Sequence, residues 1–252
     1  MSAVRTSLSD VVADLVLGSS CVGCHLPGRL LCASCRAGLD VGARLAWPTP
    51  TPPGLAPPWT AGEYADTLRA LVVGHKEHHL FALRRPLAAL LGEAAVGALD
   101  GPRGPVALVP VPSRAATVRA RGHDATYALT RGAAQLLRDQ GYDASAHRLL
   151  VSRGPVVDQA GLDAAARFDN LAGSLHCPGE RLRRLRGWRR TATVVVCDDV
   201  VTTGATAREA QRALEAVGLQ VWGIATVAAT RRRWGEQPDK SGMVLSPGDR
   251  SD

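Results

Sequence analysis

VVVCDDVVTTGAT, running from Val194 to Thr206, is the stretch that decides the fold of this 252-residue chain. Four apolar residues, Val194 to Cys197, run into two adjacent carboxylates, Asp198 and Asp199. Two valines follow, and then a short loop of Thr202, Thr203, Gly204, Ala205 and Thr206. Ala207, Ala210, Leu214 and Val217 are spaced for one buried helical face. The order predicts a strand over Thr193–Cys197, a loop, and a helix from Ala207. Such a loop can hold a phosphate, because the first N–H groups of a helix have no internal partner and its dipole favours negative charge there. Gly204 lets the backbone come close to a ligand, and the threonine hydroxyls add donors. The aspartates just before it are placed to accept hydrogen bonds from neighbouring sugar hydroxyls. A vicinal diol and a phosphate one turn apart describe ribose 5-phosphate. The competing reading is a plain βα unit whose acids cap the following turn. The loop lacks the Gly-Lys-Ser/Thr of a Walker A motif, and no GxGxxG dinucleotide fingerprint is present.

Composition narrows the setting. A hydrophobic content of 46% supports a real core, and no apolar run is long enough to span a bilayer. Asp10 and Asp14 interrupt the N-terminal apolar stretch, so Leu8, Val11, Val12 and Leu15 read as one face of a short helix rather than a signal peptide. The expected location is cytoplasmic, with no membrane insertion. The net charge of +7 rests on arginine, since Lys76 and Lys240 are the only lysines. A basic surface favours polyanions without choosing among them.

Four of the six cysteines lie in CVGCHLPGRLLCASC. Cys21, Cys24, Cys32 and Cys35 give C-x2-C-x7-C-x2-C, and four thiolates aimed at one point make a closed tetrahedral zinc site. In a cytoplasmic chain this outranks two disulfides; redox dithiols are the alternative. With all four positions taken, the Zn²⁺ is structural, and His25 is not needed as a ligand. Cys177 and Cys197 are isolated, and Cys197 reads as a small core residue.

The organisation reads as follows. Residues 1–45 carry a helix and the four-Cys module, and 46–60 form a stiff Pro-rich linker around Trp47–Pro58. Residues 61–230 form the main domain, and 231–252 a disordered tail. Helices are expected within Tyr64–Val73, Leu80–Leu99 and Thr126–Gln140, with strands at Val106–Val111, Arg148–Val151, Thr193–Cys197 and Val221–Val227. Their alternation predicts an α/β fold with a parallel sheet flanked by helices. Ligands then bind at the carboxyl ends of the strands, where Asp198 and Thr202 fall. His75, His78 and His79 read as a polar, partly exposed helix face rather than a metal site.

The opening stretch resembles, at every position, the 5-phosphoribosyl-1-pyrophosphate (PRPP) signature of type I phosphoribosyltransferases. Further segments extend the likeness: GEYADTLRALVVGHKE (Gly62–Glu77), VPVPSR (Val109–Arg114), RARGHDAT (Arg119–Thr126) and DQAGLDAAARFDN (Asp158–Asn170). Together with the cysteine module they resemble the ComF family of competence-associated phosphoribosyltransferases, from about Cys21 to Thr230. Three residues depart from the family pattern: His123, Asp124 and Ala125 stand for Phe, Asn and Gln. The resemblance implies a type I phosphoribosyltransferase-like sheet with a small N-terminal zinc-ribbon module.

The resemblance also implies roles. Asp198 and Asp199 hold the ribose diol, and Asp199 is the one candidate base. Thr202, Thr203, Gly204, Ala205 and Thr206 hold the 5-phosphate. Ser113 and Arg114 face pyrophosphate, with Arg119, Arg121 and Lys76 as charge partners. Gln159, Arg167 and Asn170 are assigned by the family alone. Mg²⁺ accompanies PRPP; the acceptor is not readable, and a homo-oligomer is open. Plainer readings stand beside these: a solvated helix entrance for Arg119 and Arg121, a surface lysine for Lys76, loop packing for the last three. A second function class is a PRPP sensor or an adaptor for single-stranded DNA or DNA-uptake proteins. It rests on the arginines of Arg181–Arg190 beside Trp188 and on Arg231–Trp234; a solvated loop is their plainer reading.

Overall fold

The computed structural model describes residues 19–99, 104–113, 118–119, 122–153 and 173–230. In chain order its elements are α1 (Ala33–Ala37), β1 (Val41–Leu45), β2 (Pro58–Glu63), α2 (Asp66–Glu77), a 3-10 turn (Phe81–Leu83), α3 (Arg84–Ala98) and β3 (Val106–Pro110). There follow α4 (Ala125–Asp139), β4 (Ala144–Ala146), β5 (Val151–Ser152), β6 (Leu175–His176), α5 (Gly179–Trp188), β7 (Thr193–Val201), α6 (Ala205–Glu215) and β8 (Val221–Ala229). Six strands form one sheet in the order β1-β2-β8-β7-β3-β4. All neighbours are parallel except β1 and β2. The expected α/β class, a mostly parallel sheet between helices, is what the chain adopts.

The unbroken apolar run of β7 follows from burial on both faces. Successive side chains alternate across a sheet. Val195 and Cys197 pack with α2, α3 and α4, whereas Val194 and Val196 pack with α5 and α6. Helices α3 and α4 approach closely at Gly132, where an added Cβ would lie 2.6 Å from Ala88 Cβ.

Several boundaries differ from the sequence reading. Strand β7 runs through both aspartates to Val201, because β8 is long enough to pair with it as far as Val201↔Ala229. The sheet strand after α4 is Ala144–Ala146 rather than Arg148–Val151. Three residues at a sheet edge leave no period to read, and Val151–Ser152 pairs instead with β6 in a separate ribbon.

Trp47–Pro58 is not a free linker. Pro58 is already in β2, and Leu55 and Ala56 are buried in the core beneath α6. Prolines have no N–H to donate to a ladder, and here α6 side chains take up polar groups between them. Gln211 Nε2 donates to Gly54 O (2.9 Å), the Ala56 N–H donates to Gln211 Oε1 (2.9 Å), and Arg208 Nε donates to Pro53 O (3.0 Å). The cysteine module is likewise seated in the main core through Leu31, with Val22, Leu30 and Leu39 packed against it. The expected break at residues 46–60 therefore does not separate two packing units. The N-terminal helix and the C-terminal tail expected from the sequence lie outside the described residues.

Candidate functional site

The alternation of β7 decides where its two acids point. Asp198 lines a small pocket with Val200, Val201, the loop Thr202–Thr206 and Thr226. Asp199 emerges on the other face, 4% exposed, and ion-pairs through Oδ2 with Lys76 in the last turn of α2. The acids thus have different neighbours. Each also accepts from backbone: Asp198 Oδ1 from Asp199 N and Asp199 Oδ1 from Val200 N, both at 2.9 Å. Burial, then the negative charge of Asp199, push the Asp198 carboxyl well above the usual carboxylate range, against the pull of Lys76. A site that raises a carboxyl in this way suits a group whose charge is to be met by a ligand.

The loop itself can receive an anion. Gly204 adopts a left-handed conformation (φ 74°) and caps α6, and Arg208 N donates to its carbonyl at 2.9 Å. Helical bonding starts there, which leaves the first-turn N–H groups without i−4 carbonyls. Thr203 Oγ1 accepts from Ala205 N at 3.4 Å. Thr226, the register partner of Asp198 on β8, closes the pocket from beside. Sequence reasoning missed it; a lone threonine in the apolar run of β8 was the available signal.

Around the neighbouring strand end, Ser113 lies just past β3, and its Oγ is 3.3 Å from Asp124 Oδ1. Asp124 also caps α4 by accepting from Tyr127 N (3.1 Å) and pairs with Arg148 (3.0 Å). The Asp of RGHDAT is thus a helix cap, and Ala125 is buried as the first helical residue. His123 meets Phe81 edge-on at 4.7 Å and His75 at 5.7 Å. Arg119 is exposed. Arg114, Arg121, Gln159, Arg167 and Asn170 lie outside the described residues.

The expected exposed face of histidines needs correction at His75. It is 1% exposed, because it continues the buried stripe of Leu68, Leu71 and Val72 on α2. Its ring nitrogens find no hydrogen-bond partner among the described residues. Burial, then His123 and Arg84, bring its pKa down to about 4, so it is neutral at pH 7. His78 and His79 are exposed as expected.

Cys21, Cys24, Cys32 and Cys35 bring their sulfurs within 4.8 Å of one another, the one such ligand cluster among the described residues. Cys32 caps α1, and the N–H groups of Cys32 and Cys35 point at Cys21 and Cys32 sulfurs, both at 3.4 Å. Burial pushes the Cys21 thiol up, but N–H groups of Cys32, Cys24 and Gly23 outweigh it and bring it to about 6. Cys35, hydrogen-bonded first to Cys32 and then to Cys24 and Cys21, is pushed up to about 12. Four crowded thiols of this kind ionise together only around a cation, so the donor set fits a closed metal site.

No helix among the described residues is long and apolar enough to cross a membrane. No curated protein matches the chain. Residues 154–247 match the family model of the phosphoribosyl transferase domain, just over a third of the chain, and that span contains Asp198 and the whole threonine loop. The chain carries a phosphoribosyl transferase domain match behind an N-terminal four-cysteine cluster.

Proposed function

We propose that the protein binds PRPP with Mg²⁺ and transfers the phosphoribosyl group to an acceptor, releasing pyrophosphate. The observation that carries this reading is the pocket shared by Asp198 and Thr202–Thr206 at the carboxyl end of β7, inside the segment matched to the phosphoribosyl transferase domain. The loop N–H groups and threonine hydroxyls receive the 5-phosphate. Asp198 accepts from the ribose diol, which rewards its ionisation. In the transfer, the bond from C1 to the pyrophosphate oxygen breaks and the acceptor's lone pair bonds to C1. The C1 centre passes through an oxocarbenium-like state, and the pyrophosphate leaves with its electron pair. Mg²⁺ neutralises that charge when bound with PRPP. Ser113, Arg114, Arg119, Arg121 and Lys76 are assigned to the pyrophosphate, since positioned cations and donors stabilise a departing group. Asp199, ion-paired with Lys76, is the second contact to the sugar. Cys21, Cys24, Cys32 and Cys35 hold a structural Zn²⁺, and we assign the chain to a ComF-like group of cytoplasmic proteins.

Calorimetry with Mg–PRPP tests the site. The Asp198→Ala/Asp199→Ala double variant is expected to lose binding by at least about tenfold, and unchanged affinity would refute the assignment. Pyrophosphate release over a panel of bases and amines separates transfer from sensing. Binding without release favours the sensor. One surface favours an adaptor role: Arg183, Arg186, Gly187 and Arg190 line a concave patch on and just after α5 with no acidic group among them. Salt-dependent binding of single-stranded DNA is the expected sign of that role, and no binding at low ionic strength removes it.

A further inference from the structure

The proline segment does more than connect two strands. It forms the outer wall of the phosphate loop at its one left-handed residue. A Cβ on Gly204 would lie 2.9 Å from Pro48 Cγ, 3.3 Å from Leu55 Cδ2 and 3.4 Å from Pro52 Cδ. The loop glycine is therefore bounded by this segment on the side away from the pocket. Between Pro48 and Ala56 the segment belongs to no strand, so a ladder does not hold its outer part in place. That role falls to one face of α6. Gln211, 5% exposed, accepts from Ala56 N and donates to Gly54 O, while Arg208 donates to Pro53 O. Three polar backbone groups, Pro53 O, Gly54 O and Ala56 N, are thus satisfied by two side chains one turn apart on the helix that begins at the loop.

We infer that Gln211 is a positioning residue for phosphate binding: it holds the proline segment against Gly204 and so keeps the loop N–H groups converged before ligand arrives. This rests on the reading of Thr202–Thr206 as the phosphate loop. The physical ground is preorganisation. A flexible loop would lose conformational freedom on binding, and a misaligned set of donors forfeits the advantage of a helix N-terminus. The arrangement also explains a composition that otherwise looks like a linker. Prolines carry little conformational freedom to lose and no donors to satisfy, so two side chains suffice to immobilise the wall.

The test is titration calorimetry with inorganic phosphate and with Mg–PRPP on the full chain, at a temperature where each variant is folded by circular dichroism. Gln211→Met keeps the side-chain volume and removes both hydrogen bonds to the segment, together with the donation from Nε2 to Glu215 Oε1 (2.7 Å). It is expected to weaken phosphate binding about tenfold. Glu209→Gln is the comparison. Glu209 is equally buried on α6, but it serves Leu175 N (2.9 Å) and Arg212, away from the proline segment. A general loosening of α6 would weaken binding in both variants, whereas positioning through the segment weakens it in Gln211→Met alone. Should Gln211→Met not fold, Arg208→Lys keeps the charge, removes the Nε donor to Pro53 O, and carries the same expectation at about threefold. Wild-type affinity in these variants, or equal losses in Glu209→Gln, overturns the inference and leaves the phosphate loop standing. A wild-type protein that binds neither phosphate nor Mg–PRPP removes the loop reading, and this inference with it.

Discussion

At the scale of single residues, the site is set by which way a side chain leaves a strand. Asp198 and Asp199 are neighbours in sequence, yet one faces the threonine loop and the other Lys76. His75, beside Lys76 on α2, has a consequence of its own for pH. Its folded pKa of about 4 lies below its unfolded value, so the unfolded chain binds more protons between pH 4 and 6.5. Stability from the neutral imidazole is present above about pH 6.5 and is lost as pH falls toward 4. The full linkage amounts to up to about 3 kcal/mol. Asp198, raised instead of lowered, acts in the opposite sense, so the wild-type curve alone does not isolate His75. Urea denaturation of wild type and His75→Leu at pH 7 and pH 4.5 does. The gap should move in favour of the variant at the lower pH, and a gap independent of pH would contradict the buried neutral imidazole. The sequence placed these residues near one another through its motif order. It did not reveal the buried side of α2, because a histidine in a polar run gives the same letters whether it faces the core or water.

At the scale of elements, long periodic segments were legible and short or irregular ones were not. The apolar run Val194–Cys197 and the spacing of Ala207, Ala210 and Leu214 were enough to place β7 and α6. The edge strands were hidden for physical reasons. Strand β4 has three residues, and β1 has only half-buried and exposed positions. The proline segment misled because its fixity comes from α6, more than 150 residues further along the chain. Helix pairing offers a prediction against propensity. Gly132→Ala improves intrinsic helicity by about 1 kcal/mol, but its new methyl would meet Ala88 Cβ at 2.6 Å between α3 and α4. Neither atom is the end of a flexible chain, so overpacking prevails. Net destabilisation of about 1–2 kcal/mol is expected in urea denaturation, and a stabilised variant would mean that the two helices separate easily.

At the scale of the whole molecule, the cysteine cluster and the transferase-like sheet are joined by packing. Leu31 and its neighbours share a core with α2 and α3, and a Cβ on Gly23 would meet Thr67 Oγ1 at 2.8 Å and Cys35 Sγ at 3.0 Å. Metal removal should therefore be felt beyond the cluster. Stripping the protein with a strong chelator at pH 7 is expected to release one metal ion per chain and to lower the melting temperature of the whole unit in a single transition. Elemental analysis and calorimetry check both points. A separate low-temperature transition with an unchanged main one would mean that the module melts alone.

The seating of β1 and β2 has a consequence for inheritance. A chain beginning at residue 61 would keep the Thr202–Thr206 loop yet lose β1, half of β2 and the wall behind Gly204. The exposed edge of β8 would then be open to other chains. The cysteine module cannot be gained or lost as a cassette in the way a tethered domain can. Any lineage that discards it must also repack the core surface that Leu31, Val22 and Leu30 cover, so the two parts are expected to be inherited together.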